Sequence, residues 1–203
     1  MGSSRFEAGA TPVTSPDRSE AAALGLISGL LLGPPSAAVA RGLAAAGLGL
    51  PEPADPEALA RDHLRLLGGL RPGHGPPPPY ESVWRGEGRV MGRATEAVLS
   101  AYDQAGAWLE GADGRPADHV GFEIGFLSYL AKCHDEAAGR DDSAARLKAE
   151  RAWDEFMADH VMMWVPDLCR TLERADPGGF YGTLAAWLGN YLAAAGDAEP
   201  AEP

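Results

Sequence analysis

An Asp-His pair followed by a glutamate is the first feature of this chain whose residue types suit chemistry. Asp118 and His119 are adjacent, and Glu123 follows His119 by four residues, which places the imidazole and that carboxylate on one helix face. This spacing suits two ligands of a metal ion, although the other ligands of an HExxH-type site are missing. The same residues also suit a helix start, where the helix dipole favours a carboxylate. Both interpretations stay open.

A second histidine-aspartate dipeptide, His134-Asp135, permits a different chemistry. With His63 or His74 upstream and Asp154 downstream, it would allow a metal-dependent phosphohydrolase of the HD type. The simpler interpretation is that the dipeptide belongs to the solvated end of a helix.

The composition is typical of one globular domain. The chain has 203 residues, of which 45% are hydrophobic and 23% are charged. It carries 29 acidic and 17 basic residues, so its formal net charge is -12. This negative charge argues against nucleic acid as a partner, because phosphate binding requires a positive surface. It suits a cationic partner, or it serves solubility alone.

The cysteines and the first apolar run indicate a cytoplasmic protein. Cys133 and Cys169 lie in helix-like apolar patterns without metal-binding or redox spacing, which suits buried thiols in a reducing compartment. The apolar run from Ala21 to Leu32 is shorter than the ~20 residues that span a membrane. Acidic residues precede it, whereas a secretory signal begins with net positive charge. The run therefore predicts a first helix of the mature protein, and no direct membrane insertion is expected.

Capping residues and hydrophobic periodicity predict an all-α fold, a single-domain helical bundle of about seven to nine helices. An acidic or hydroxyl residue followed by proline marks three helix starts, at Ser15-Pro16, Asp55-Pro56 and Asp176-Pro177. Further helices are expected over residues 36–46, 90–109, 117–138 and 143–164, and Pro166 is expected to break or kink the helix that follows residue 143. The 117–138 helix is apolar on nearly every side, so it should be the buried central rod.

Several large side chains are expected in the core because they fall on the apolar faces of these helices. They are Val90, Trp108, Leu147, Phe156, Trp164 and Trp187. His160 shares such a face, between Phe156 and Trp164, and is predicted to be a core or rim histidine.

Segments with few helix signals flank and interrupt this domain. Residues 1–14 are expected to form a flexible arm, 15–195 the all-α domain, and 196–203 a disordered acidic tail. Residues 68–88 form an internal loop rich in proline and glycine, in which four consecutive prolines favour an extended backbone. Aromatic residues follow those prolines, so the loop is expected to pack on the body of the protein.

Two short motifs resemble one protein family. Pro78-Pro79-Tyr80-Glu81-Ser82-Val83-Trp84 is followed further along the chain by Pro116-x-Asp118-His119-Val120-x-x-Glu123. Together they resemble the TorD/DmsD/NarJ family of cytoplasmic redox-enzyme maturation chaperones. The resemblance implies a TorD-like all-α fold without enzymatic activity. It also implies binding of the N-terminal signal peptide, often twin-arginine, of a molybdopterin oxidoreductase subunit, which is held until its cofactor is inserted.

The resemblance further implies a peptide-binding site, because arginine prefers bidentate carboxylate partners. Asp118 and Glu123 are the first candidates for that contact, Glu81 is the next, and His119 either orients Asp118 or contacts the ligand. Aromatic side chains would line the apolar part of the site. The full predicted set is Tyr80, Glu81, Trp84, Pro116, Asp118, His119, Phe122 and Glu123.

Such a chaperone is expected to hold no cofactor and no metal. Its partners would be the apo molybdopterin oxidoreductase subunit and its signal peptide, and the chaperone itself would be a monomer or a homodimer. In a third interpretation the protein has the same fold but does not bind a signal peptide. It would then be a helical interaction module that binds another surface of an apo-enzyme.

Overall fold

The computed structural model describes residues 18–45, 49–51, 55–69, 75–109 and 114–196. The predicted arm at 1–14, the helix start at Ser15-Pro16 and residues 197–203 of the predicted tail lie outside this part of the chain. Within it, all regular secondary structure is helical, apart from one isolated antiparallel bridge between Tyr80 and His119. The prediction of an all-α fold is confirmed.

The described residues form nine α-helical segments, numbered here in chain order. They are α1 (Arg18–Leu32), α2 (Ala37–Ala45), α3 (Pro56–Leu67), α4 (Glu81–Trp84), α5 (Arg93–Ala105), α6 (Val120–Ala138), α7 (Ser143–Phe156), α8 (Met162–Ala175) and α9 (Phe180–Gly196). A π-helical turn, Met157–Val161, joins α7 to α8 into one continuous rod. The predicted range of seven to nine helices holds for the described part of the chain.

Polar caps place the starts of α3 and α9. The Asp55 carboxylate accepts the Glu57 N–H at 2.9 Å, and α3 begins where the sequence predicts. The Asp176 carboxylate accepts the N–H groups of Tyr181 and Gly182, both at 3.1 Å, so α9 begins later than its Asp-Pro signature predicts.

α5 and α6 are shorter than predicted. Gly106 ends α5 in the left-handed conformation, with φ at 74°, which glycine adopts without a steric penalty. α6 begins at Val120 rather than at residue 117, because Ala117 and Asp118 form a turn and the extended His119 pairs with Tyr80, directly before α4.

Pro166 does not break the rod, so the first of the two outcomes predicted for it, a break or a kink, is wrong. It lies inside α8, where it lacks the N–H that would bond to the Met162 carbonyl. The π turn ends at Val161, directly before that carbonyl. The wider turn gives the backbone a local irregularity in which the proline ring is accommodated.

α6 is the central rod of the bundle, as predicted. Val120, Ile124, Leu127 and Ala131 are fully buried along it. α1 and α7 pack on α6, and α9 packs along α8. The core therefore surrounds the helix whose first residues carry the Asp-His motif.

Small residues bring α1 and α6 close together. A Cβ atom on Gly121 would lie 2.5 Å from Cγ of Leu32 and 3.2 Å from the Ser28 carbonyl oxygen. The Ser28 hydroxyl donates to the Gly121 carbonyl at 2.7 Å. This close contact fixes the position of the first turn of α6.

Some side chains predicted in the core are exposed. They are Val90, Trp108, Leu147 and Trp187. Val90 and Trp108 lie beyond the ends of α5, and Trp187 stacks on Tyr191 with ring centroids 6.4 Å apart. Phe156, His160 and Trp164 are buried, as predicted.

Candidate functional site

The two motif segments lie side by side. They form the bridge between Tyr80 and His119, where the Val120 N–H donates to the Pro79 carbonyl at 3.0 Å. The Glu81 N–H donates to the Asp118 carbonyl at 2.9 Å. α4 and α6 therefore start from the same point, and the motif residues form one site.

Asp118 caps α4 rather than its own helix. Its Oδ2 accepts the Ser82 N–H at 2.9 Å, so the carboxylate satisfies the first turn of a helix earlier in the chain. The N-cap of α6 is His119, whose Nδ1 accepts the Gly121 N–H at 3.0 Å. The prediction that both residues cap the following helix is confirmed for His119 and wrong for Asp118.

Glu81 is fully buried and bound on both sides. Its Oε2 lies 2.9 Å from Nδ1 of His160, and its Oε1 accepts Nη1–H of Arg85 at 2.6 Å. Arg85 also donates to the Asp159 carbonyl at 3.2 Å. These contacts connect α4 to the π turn, in which His160 lies next to Glu81.

Glu123 is the second fully buried glutamate. Its Oε2 accepts the indole N–H of Trp164 at 3.0 Å, and its Oε1 has no hydrogen-bond partner in the structure. Burial raises the pKa of Glu123 well above its ordinary value, the neighbouring carboxylate of Glu81 raises that pKa further, and the Trp164 bond opposes the shift. Glu123 therefore favours the protonated form.

His119 is held as a neutral imidazole. Burial lowers its pKa to about 4, and the positive charge of Arg115 and the nearby His63 contribute to that shift. Because Nδ1 accepts a backbone N–H, the single proton of the neutral ring is on Nε2. His119 thus acts as a structural acceptor near neutral pH.

Exposure divides the predicted peptide-binding residues into an interior and an edge. The buried ones are Glu81, Asp118, His119, Phe122 and Glu123. The half-buried ones are Tyr80, Trp84 and Pro116. The carboxylates that were expected to meet arginine are therefore enclosed, and one oxygen of Asp118 and one of Glu123 stay unpartnered inside.

Aromatic contacts form the edge of the site. The Tyr80 ring packs edge-on against the His119 ring at 5.2 Å, and the Arg115 guanidinium lies 5.6 Å from the centre of the Phe122 ring. Trp84 donates its indole N–H to the Pro78 carbonyl at 3.0 Å. Phe122 also lines a shallow apolar pocket of about 250 Å³ beside the end of α5.

Sequence reasoning missed several residues that complete the site. They are Ser82, Arg85, His160 and Trp164. A histidine on an apolar helix face signals a buried polar partner. Its partner Glu81 lies far away in the chain, so only the fold shows which carboxylate it meets.

The described residues give no support to a metal centre. No group of three or more histidine, cysteine or acidic side chains among them is placed to hold a metal ion. His134 instead lies 3.1 Å from the Glu150 carboxylate, while His63 lies 3.2 Å from the Leu31 carbonyl oxygen. His74 lies outside the described residues.

Comparison with known proteins assigns this all-α chain with its paired motifs to a family. Residues 28–170 match a family model described as nitrate reductase delta subunit. That match covers well over half of the chain, so the chain belongs to this family, the TorD/NarJ chaperone family. The resemblance seen in the two motifs is confirmed.

Curated relatives carry the name chaperone protein TorD. The chain is 26% identical over 108 residues to that of Vibrio cholerae serotype O1 (strain O395), which covers 53% of this chain and 47% of the relative. It is 29% identical over 115 residues to that of Aeromonas salmonicida (strain A449), which covers 56% of this chain and 50% of the relative. The chain thus spans about half the length of the curated relatives it matches.

These relatives are named as chaperones. Among the described helices, none combines the length and the hydropathy that crossing a membrane requires.

Proposed function

We propose that this protein is a cytoplasmic maturation chaperone that binds the signal peptide, or the apo form, of a molybdopterin oxidoreductase subunit. The observation that carries the proposal is the contact between buried Glu81 and the half-exposed Arg85. The site already accepts one guanidinium, and unpartnered oxygens of Asp118 and Glu123 lie buried beside it. A twin-arginine segment supplies the donor that the Asp118 oxygen lacks, and its positive charge favours the ionised form of Glu123.

Binding requires the closed site to open, because the carboxylates have no exposed surface. The edge residues Tyr80 and Trp84 offer the first contact, with aromatic rings for the apolar part of the peptide. α4 is a short helix held by the Asp118 cap, by the contacts of Glu81 and by packing of Trp84 against Trp164, and its displacement would uncover the carboxylates. The client keeps its peptide bound until assembly is complete.

Calorimetry with a synthetic peptide tests the proposal. The peptide carries two adjacent arginines followed by an apolar stretch. Asp118→Asn keeps an oxygen for the Ser82 N–H but removes the charge, and we expect it to weaken binding by roughly ten-fold or more. Asp103→Asn, an exposed carboxamide change on α5, is the matched control and should bind like the wild type.

Equal affinity of Asp118→Asn and wild type would remove Asp118 from the site. If the wild type binds no such peptide, capture of the apo-subunit lacking its signal peptide tests the alternative of a helical interaction module. A neighbouring gene for a molybdopterin oxidoreductase would name the client.

A further inference from the structure

A long groove runs between α5 and α7, and the predicted peptide-binding residues do not line it. It encloses about 490 Å³. Three alanines of α5, Ala97, Ala101 and Ala105, line one side at a spacing of four residues, which places them on one helix face. Phe126 and Phe156 add aromatic surface. Small residues beside aromatic ones leave room for the large apolar side chains of a docked helix.

Charged residues are ordered by sign along the α7 side of this groove. Lys148 and Arg151 lie toward one end, and Glu155 and Asp159 toward the other. Eleven positions separate Lys148 from Asp159, which corresponds to roughly 16 Å of helix at 1.5 Å per residue. All four side chains are exposed, and none forms an ion pair with another residue in the described part of the chain.

The acidic end of the groove meets the site described above. His160 lines the groove and bonds to Glu81, while Arg85 donates to the Asp159 carbonyl. A ligand in the groove therefore has its end beside the contact that the site makes with its own guanidinium.

We propose that this groove binds an apolar helical segment of the client with its arginine-bearing N-terminus at Glu155 and Asp159. The proposal rests on the function proposed above and adds the place and direction in which the peptide first docks, before the closed site opens and the buried carboxylates are uncovered. The arginines meet the acidic end, and the partial positive charge of the helix N-terminus has the same preference. The partial negative charge of the helix C-terminus then lies by Lys148 and Arg151. The reverse direction would set arginines against these two cations.

The test measures affinity for the peptide with two arginines and an apolar stretch, using the full chain. Glu155→Lys should weaken binding by roughly ten-fold or more, because it places a cation beside the arginines. Glu57→Lys changes the net charge equally at an exposed position of α3 and should leave affinity within about two-fold. Ala101→Leu fills the groove without a charge change and should also weaken binding.

Direction is tested with a photoreactive group at either end of the apolar stretch. We expect cross-links near Asp159 from the arginine end and near Lys148 from the other end, and the opposite pattern overturns the direction.

If wild type and Glu155→Lys bind the peptide equally, the groove is not its site although the proposed function stands. If wild type binds no peptide, the groove assignment is wrong and the signal-peptide part of the proposed function fails with it, whereas binding of the apo form is tested separately. If Ala101→Leu abolishes a wild-type dimer and leaves peptide affinity unchanged, a second copy is the occupant and the inference is wrong.

Discussion

Asp118 stabilises α4 through Ser82, which lies 36 residues earlier in the chain, and this contact predicts a clear effect on stability. Asp118→Ala leaves the buried Ser82 N–H without an acceptor, so the free energy of unfolding should fall by about 1–3 kcal/mol. Asp118→Asn keeps an acceptor for the Ser82 N–H, so its free energy of unfolding should fall by less than that of Asp118→Ala. Urea unfolding measures both, with Asp103→Ala on the exposed side of α5 as control. An alanine variant as stable as wild type would show that the cap contributes nothing.

His119 makes stability depend on pH in the acid range. Its pKa in the folded protein is about 4, below the ordinary value of 6.5, so below pH 6.5 the unfolded chain takes up a proton that the folded protein refuses. The stability that comes from the neutral ring is complete above pH 6.5 and is lost as pH falls toward 4. His119→Asn keeps a side-chain acceptor for the Gly121 N–H and does not titrate.

We therefore expect the stability difference between His119→Asn and wild type to be constant above pH 6.5. Below that pH it should shift in favour of the variant by up to about 1.4 kcal/mol per pH unit. Urea unfolding across this range measures the difference, and a curve parallel to that of wild type would contradict the assignment of a buried neutral imidazole.

The stability linked to Glu123 depends on pH in the opposite sense to that linked to His119, because burial and the Glu81 carboxylate raise the pKa of Glu123. The stability linked to its proton is complete below the ordinary value of 4.5 and is lost as pH rises through the folded pKa. Glu123→Gln copies the protonated carboxyl and keeps an acceptor for Trp164. The variant should match wild type near pH 4 and exceed it in stability at about pH 8. Glu136→Gln, at an exposed position, should show no such crossover.

The sequence allowed the motif residues of the site to be predicted, but not their arrangement. Asp118, His119 and Glu123 could be chosen because their motif is local and continuous. Arg85, His160 and Trp164 could not, since each meets its partner across helices that only packing brings together. Burial of the carboxylates was missed for the same reason.

Among the helices, the contact between α1 and α6 depends on glycine. Gly121→Ala would place a Cβ atom 2.5 Å from Cγ of Leu32 and 3.2 Å from the Ser28 carbonyl oxygen, so the Leu32 side chain must move and the free energy of unfolding should fall by about 1–3 kcal/mol. Gly29→Ala on α1 is the matched control, because no atom lies within 4 Å of its added Cβ. That variant should gain up to about 1 kcal/mol from helix propensity. Thermal unfolding of both variants checks this, and equal shifts would contradict close packing at Gly121.

Long helices were predictable, and short or irregular ones were not. α3 and α6 follow from capping residues and a sustained apolar period. α4 has only 4 residues, too few to show a period, and it forms where Asp118 supplies a cap from elsewhere in the chain. The π turn has no local signal either, and Pro166 alone suggests a break that the wider turn avoids.

At the scale of the whole molecule, the proposed function predicts that the net charge of -12 raises the rate at which a basic client segment is captured. Attraction between a negative protein and a twin-arginine peptide raises the association rate, and salt screens it with a Debye length of about 10 Å at 0.1 M. Raising NaCl from about 0.05 to about 0.5 M should slow association severalfold and change dissociation far less, because steering acts before contact. Stopped-flow fluorescence of a labelled peptide measures both rates.

A peptide with glutamines in place of the arginines is the control, since it should associate slowly and with little dependence on salt. Glu155→Lys separates the effect of the net charge from the effect of local charge, because it alters the charge at one end of the groove while changing the overall charge only slightly. If salt screens the electrostatic field of the whole protein, the association rate of Glu155→Lys should keep most of its salt dependence. The variant should then lose affinity mainly through faster dissociation. An association rate that does not change with salt would show that the net negative charge serves solubility alone.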